Sequence, residues 1–374
     1  MNFPRLLLFS MILTGCGVDE PPLKIEWKVG GILPAKNGEN HIGIAGPVTG
    51  MVEDVLIIAG GANFPNGMPW EGGLKAYTKE AYAYTLNHNE ALNLKHTFAF
   101  EDSLAYSANV STGKIFYSIG GERKGQAIAN VFRYTFNGNA LQRSVVSSLP
   151  VALTSGAAAQ IGNYIYFVGG ENAEFVSDKV YRLNTEAGDT SVWEEYMTLP
   201  HRLSHAVVMS DGQSNLYIAG GRQRNANAKS TIYDDVYELN IADKQLNKIT
   251  KLTQASAAGT GIYYDGNLVV IGGDNAQTFH QVEELIGAIN VEKDAIKKRE
   301  LIAKKNAIQS AHPGFHHEVW YYNLKSKTWN KTDSITAESP VTSTAILNHD
   351  MIIIPSGEIK AGVRTNQILI GRIK

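Results

Sequence analysis

Cysteine is almost absent: the 374 residues hold one, Cys16, so no disulfide forms within the chain and its stability rests on core and topology. A basic excess is absent too. Lys and Arg number 34 against 36 Asp and Glu, which argues against a nucleic-acid partner and an electrostatically held membrane surface. Long apolar runs are also missing. Residues 6–13 (LLLFSMIL) are too few to span a bilayer, which takes about 20 residues as a helix.

That short run follows Arg5 and ends in Leu13-Thr14-Gly15-Cys16. A positive start, an apolar middle and small residues before a cysteine are the pattern of an export signal. The last four residues resemble a bacterial lipobox. The resemblance implies that residues 1–15 are a signal peptide and that Cys16 becomes a lipidated N-terminus. Residues 16–23 then read as a polar, Pro-bearing tether. The expectation is an exported protein, lipid-anchored in the periplasm, at the outer membrane, touching the membrane through the anchor only.

From residue 24 to 374 the chain repeats. Apolar, β-rich runs end in a glycine pair at VLIIAGG (55–61), IFYSIGG (115–121), YIYFVGG (164–170), LYIAGG (216–221) and LVVIGG (268–273); MIIIPSG (351–357) is a degenerate sixth copy. The steps are about 50 to 60 residues, with one longer step before the last copy. That period is one four-stranded blade per repeat, as in kelch propellers. An aromatic strand follows each glycine pair, as in AYAYTL (81–86), NVFRYTF (130–136) and DDVYELN (234–240). Trp27, Trp193 and Trp329 fall where a fourth strand belongs and read as packing between blades. The fold class is therefore all-β: a six-bladed kelch-type β-propeller.

The last repeat stops after its third strand, NQILIGRI (366–373). The segment KIEWKVGGILP (24–34) carries the features of a fourth strand, so the N-terminal strand should close the ring and remove its open edges. The long step holds residues 281–309, where Val282, Leu285, Ile286 and Ile289 recur at helical spacing. One or two helices are expected there, covering one face. Residues 66–80 form a second excursion in the first blade.

In such a blade, the loop after the glycine pair opens on the channel mouth. Asn63, Glu122, Arg123, Glu171, Arg222, Asn275, Glu358 and Arg364 should point toward that mouth. Carboxylates, guanidinium groups and amides around a pit suit a small, polar, acidic ligand. His312, His316 and His317 cluster, but without a fitting carboxylate or cysteine spacing they make a poor zinc set, and no metal is expected.

Three local sequences are more specific. GEIKAGVRTNQI (357–368) resembles the glycine-glutamate and arginine-threonine motif of bacterial N-acetylneuraminate mutarotases (sialic acid epimerases). AGGANFP (59–65) with WEGGLKAYTKE (70–80) resembles their glycine-rich loop. GGDNAQTF (272–279), followed by the helical segment, resembles their insertion. Because the first motif falls in the last blade, the likeness is to a cyclically permuted branch. A closed ring tolerates such a shift, since any blade can come first if the ends meet.

The resemblance implies an isomerase that interconverts the α and β anomers of N-acetylneuraminate. It makes Glu358 the acid/base group and Arg364 the anchor for the substrate carboxylate, with no cofactor. Asn63, Glu122, Arg123, Glu171, Arg222 and Asn275 remain candidates for binding the sugar. The alternative is a noncatalytic, lipid-anchored propeller that binds a glycan or a protein. A copper radical oxidase on such a propeller needs a cysteine crosslinked to tyrosine, and Cys16 is already committed to the lipobox. A sialidase would show Asp-box repeats, and none is found.

Overall fold

A computed structural model of the chain describes residues 21–87, 91–226 and 228–374. The expected leader over residues 1–15 and Cys16 lie outside the described residues.

Six four-stranded antiparallel sheets follow one another around an axis. The first blade runs Val48–Val52, Val55–Ala59, Glu80–Leu86 and Leu92–Ala99, from the axis outward. The next four blades repeat that order. In the sixth, Ile346–Asn348, Met351–Lys360 and Val363–Ile373 are completed by the N-terminal strand Ile25–Ile32. Ile25 pairs with Ile373 and Ile32 with Gln367, so the ring closes as the sequence led us to expect.

Strand alternation explains why the blades cohere. Successive side chains point to opposite faces, and each face meets a neighbouring blade. Ile57 packs toward Phe116 and Phe132 of the second blade, while Ile58 packs toward Ile353 and Ile370 of the sixth. Val269 and Val270 divide in the same way between the sixth and fourth blades. The tryptophans belong to this packing. Trp193 is buried and donates to the Ser147 carbonyl of the preceding blade at 3.0 Å, and Trp329 donates to Thr250 Oγ1 at 3.2 Å.

The glycine pairs are sterically enforced. Gly169 has φ +65°, and a Cβ there would sit 2.0 Å from the Leu203 carbonyl oxygen. The one departure, Ser356, adopts φ +58° and is fully buried. Its hydroxyl lies 3.0 Å from the Ile44 amide and 2.6 Å from the Thr365 carbonyl oxygen. A serine here ties the last blade to the first, which offsets the left-handed backbone.

The insertion forms two helices, α1 (Gln277–Val291) and α2 (Ala295–Ser310). Val282 and Leu285 are the buried side of α1. Glu283 accepts from both the Ser230 amide and hydroxyl, which moors α1 to the fourth blade. Asn306 of α2 donates to the Trp70 carbonyl at 2.9 Å, which moors it to the first-blade excursion. The pair thus bridges one mouth of the channel.

Candidate functional site

The floor of that mouth is a ring of backbone. Gly46, Tyr106, Ser155, His205, Ala258 and Thr342 occupy the same place in successive blades, all with φ between +55° and +60°. Each donates its amide to the carbonyl of the residue before it in the ring, at 2.7 to 3.0 Å, and Gly46 closes the circle on Thr342. Every backbone donor and acceptor is used, so the neck needs no water to satisfy it. Only the side chains differ, and Tyr106, His205, Ala258 and Thr342 line the pit.

Above the floor lies the residue that follows each glycine pair: Ala62, Glu122, Glu171, Arg222, Asp274 and Glu358. Each bridges the chain entering the same blade, as Glu358 does to Val341 and Asp274 to Ala257. One charged side chain per blade in five of six blades makes a polar pit. Its cavity, about 440 Å³, is lined by Arg222, Asp274, Glu358 and Arg364, by Tyr106, His205 and His312, and on the α1 side by Phe279, Val282 and Ile286.

Glu358 and Arg364 face each other across the last hairpin. Arg364 Nη2 lies 3.7 Å from Glu358 Oε2, and Glu358 Oε1 accepts from the Gly362 amide at 2.7 Å. The Arg364 side chain is only 4% exposed, and its Nε and Nη1 have no hydrogen-bond partner among the described residues. Its guanidinium lies over the Phe64 ring at 4.6 Å. A buried, stacked guanidinium with unpaired donors at a cavity wall is a candidate to receive an anion.

Tyr106 sits beside this pair. Burial and the Glu358 charge push its phenol up to about 12, against the opposing pull of Arg364. His205 goes the other way. Burial, aided by Arg222, drives it down to about 4, with Glu171 opposing, so the ring is neutral near pH 7. Burial also pushes the Glu171 carboxyl up, but His205, Arg222 and Arg224 outweigh it and the net shift is down.

The eight residues singled out from sequence therefore divide. Glu358, Arg364 and Arg222 line the cavity. Glu171 lies beneath it, holding Arg222 at 2.6 Å. Glu122 is set back behind Lys75 and Tyr77, which it accepts from at 2.8 and 2.6 Å; Lys75 is the one that reaches the cavity. Three do not face the pit. Arg123 binds Asp102 at 2.6 Å and lies over Phe132. Asn63 donates to the Gly43 carbonyl, and Asn275 accepts from the Gln277 amide in a turn. Each of these three is one residue past the position that faces the axis, so strand alternation turns it aside. Tyr106, His205, Asp274 and His312 were not singled out for the pit by the sequence. The three histidines diverge: His316 lies 3.7 Å from Glu318, His317 reaches the Ile335 carbonyl, and only His312 lines the cavity.

Fold and site together define a six-bladed propeller with a roofed, charged pit. The family model described as N-acetylneuraminate epimerase matches residues 147–374, and the chain belongs to that family. The N-acetylneuraminate epimerase of Pasteurella multocida (strain Pm70) is 24% identical over 63% of this chain and 60% of its own length. That of Haemophilus influenzae (strain 86-028NP) is 24% identical over 64% and 61%. The chain thus spans about six-tenths of the length of these relatives. The solved structure of YjhT superposes with a TM-score of 0.64 over 93% of this chain and 100% of its own, at 12% identity, which shows the shared fold.

Proposed function

We propose that this protein is a sialic acid mutarotase that interconverts the α and β anomers of N-acetylneuraminate by opening and reclosing the ring. The observation that carries the reading is Arg364: a buried guanidinium with free donors, beside a carboxylate, in a pit sized for one sugar. The names of the relatives point to the same substrate.

Arg364 grips the substrate carboxylate, which is attached to the anomeric carbon. That sets the anomeric hydroxyl near Glu358. The Glu358 carboxylate takes the hydroxyl proton, the carbonyl forms, and the bond from the anomeric carbon to the ring oxygen breaks. The departing ring oxygen takes the proton of the Tyr106 hydroxyl, and Arg364 stabilises the phenolate left behind. Raising the phenol to about 12 keeps it protonated and brings it closer to the acidity of the alcohol it protonates. Rotation about the neighbouring carbon–carbon bond presents the other carbonyl face. The sugar hydroxyl adds to it, returning its proton to Tyr106, while Glu358 returns the first proton to the carbonyl oxygen. No proton or electron is left over.

Two further parts belong to the same reading. The mature chain is exported and anchored through a lipid on Cys16, supported by the Leu-Thr-Gly-Cys motif; incorporation of labelled fatty acid that survives Cys16→Ser would contradict this. The blade order is cyclically permuted, supported by the glycine-glutamate motif falling at Glu358 in the last blade. The activity is tested by exchange NMR on an equilibrium mixture of anomers. Catalytic protein must give cross-peaks between the anomers' ring methylene protons at mixing times where the free sugar gives none. Binding without exchange would instead mark a noncatalytic module.

A further inference from the structure

His312 follows α2 and is more than nine-tenths buried, at 7% exposure. Its Nδ1 accepts a hydrogen bond from the Gly314 amide at 3.1 Å. An accepting Nδ1 fixes the tautomer: in the neutral ring the proton is on Nε2. Burial lowers the pKa, with Asp274 and Glu358 opposing and Lys360 assisting, so the ring stays neutral near pH 7. The Nε2–H has no partner among the described residues, although the ring lines the cavity. Facing the cavity, that N–H is open to a ligand in the pit.

Beside the charged groups, part of its surroundings is apolar. The Phe315 ring lies 5.0 Å from the imidazole. Phe279, Val282 and Ile286 of α1 line the same cavity, with Phe279 under the Arg222 guanidinium at 5.3 Å. Ile286 is 45% exposed and lines the cavity. One fixed N–H donor at the edge of an apolar wall is complementary to an acylamino group. The carbonyl oxygen accepts from Nε2–H, and the methyl group covers the wall. A hydroxyl could take the hydrogen bond but would leave the wall bare.

We propose that His312 and the wall of Phe279, Val282, Ile286 and Phe315 form an acylamino subsite that selects N-acylated sugar acids over their deaminated counterparts. This rests on the mutarotase reading for its substrate class, but it is a claim about binding and is tested as one.

The experiment is saturation-transfer NMR on the full mature chain. The probes are N-acetylneuraminate and its deaminated analogue, which has a hydroxyl in place of the acetamido group. In the wild type the acetyl methyl should take up the most saturation of any proton of the sugar. His312→Phe should weaken N-acetylneuraminate about tenfold in Kd, the scale of one buried hydrogen bond, and shift the deaminated analogue by less than about twofold. His312→Gln, which keeps an N–H near the Nε2 position, should recover most of the loss. Equal weakening of both sugars by His312→Phe, or a methyl group among the least saturated protons of the wild-type complex, overturns the subsite. Should His312→Phe fail to fold, the wild-type saturation map decides alone. A wild type that binds with its methyl saturated yet gives no anomer exchange supports the subsite and refutes the mutarotase. One that exchanges anomers with the methyl unsaturated does the reverse.

Discussion

Glu358 and Arg364 are register partners on the two strands of the last hairpin, and the carboxylate keeps one oxygen on the Gly362 amide at 2.7 Å while the other stands 3.7 Å from the guanidinium. The longer gap means that the two groups do not consume each other. The guanidinium keeps free donors for an anion, and the carboxylate keeps an oxygen for a proton. A tight bidentate ion pair here would have taken one edge of the guanidinium and engaged both carboxylate oxygens.

The anchoring role makes a specific demand on Arg364. Lysine preserves the charge but not the planar fork or the stacking on Phe64. Arg364→Lys should weaken N-acetylneuraminate by about 10- to 100-fold in KM, the range expected for losing a bidentate, charge-assisted contact. Mutarotation rates across substrate concentrations measure it. A KM within twofold of the wild type would remove the anchor from Arg364.

Tyr106 is asked only to move a proton. Tyr106→Phe should lower kcat by about 100-fold and leave KM within a few-fold. The Tyr106 amide and carbonyl hold the floor ring whatever the side chain is, so the variant should keep its melting temperature. A fall in KM affinity with kcat intact would make Tyr106 a binding residue instead.

Mild acid should destabilise the fold through its buried neutral histidines. His205 sits near 4 when folded against an ordinary 6.5. Between those values the unfolded chain binds more protons, so stability falls as pH drops through the window and is full above about 6.5. His41, His201 and His312 are shifted down by burial as well and add in the same direction. His205 alone is worth up to about 3 kcal/mol. Thermal melts at pH 7, 6 and 5 should show Tm falling at each step; a flat or rising Tm would contradict the buried neutral histidines.

Ring closure predicts an unusual weight for residues near the start of the chain. Ile25 is fully buried between the fifth and sixth blades. Ile25→Ala should cost about 2–5 kcal/mol in urea unfolding, the range for a core cavity. A cost below about 1 kcal/mol would mean that the N-terminal strand is an accessory rather than the closing element.

Much of this was legible in the sequence because a propeller repeats its reasons. Glycine pairs, aromatic third strands and the missing fourth strand of the last repeat each follow from one blade geometry used six times. The pit was legible only in part. Glu358 and Arg364 carry a local motif, but Asn63, Arg123 and Asn275 were one step out of phase with the axis. Asp274 could have been found, since it holds the same post-glycine place as Glu358. Tyr106 and His205 could have been found by aligning the six floor positions, where Gly46, Ser155 and Ala258 are small. His312 could not. Three histidines near one another look alike until the fold turns one toward the cavity and the others away.

The central claim is that Glu358 moves the anomeric proton. The direct measurement releases the α anomer of N-acetylneuraminate with a sialidase and follows its conversion to β by proton NMR, with no protein, with the wild-type protein, and with Glu358→Gln. The account predicts clear acceleration by the wild type and a loss of at least about 100-fold in the variant, with sugar binding retained. Acceleration that survives Glu358→Gln would contradict it.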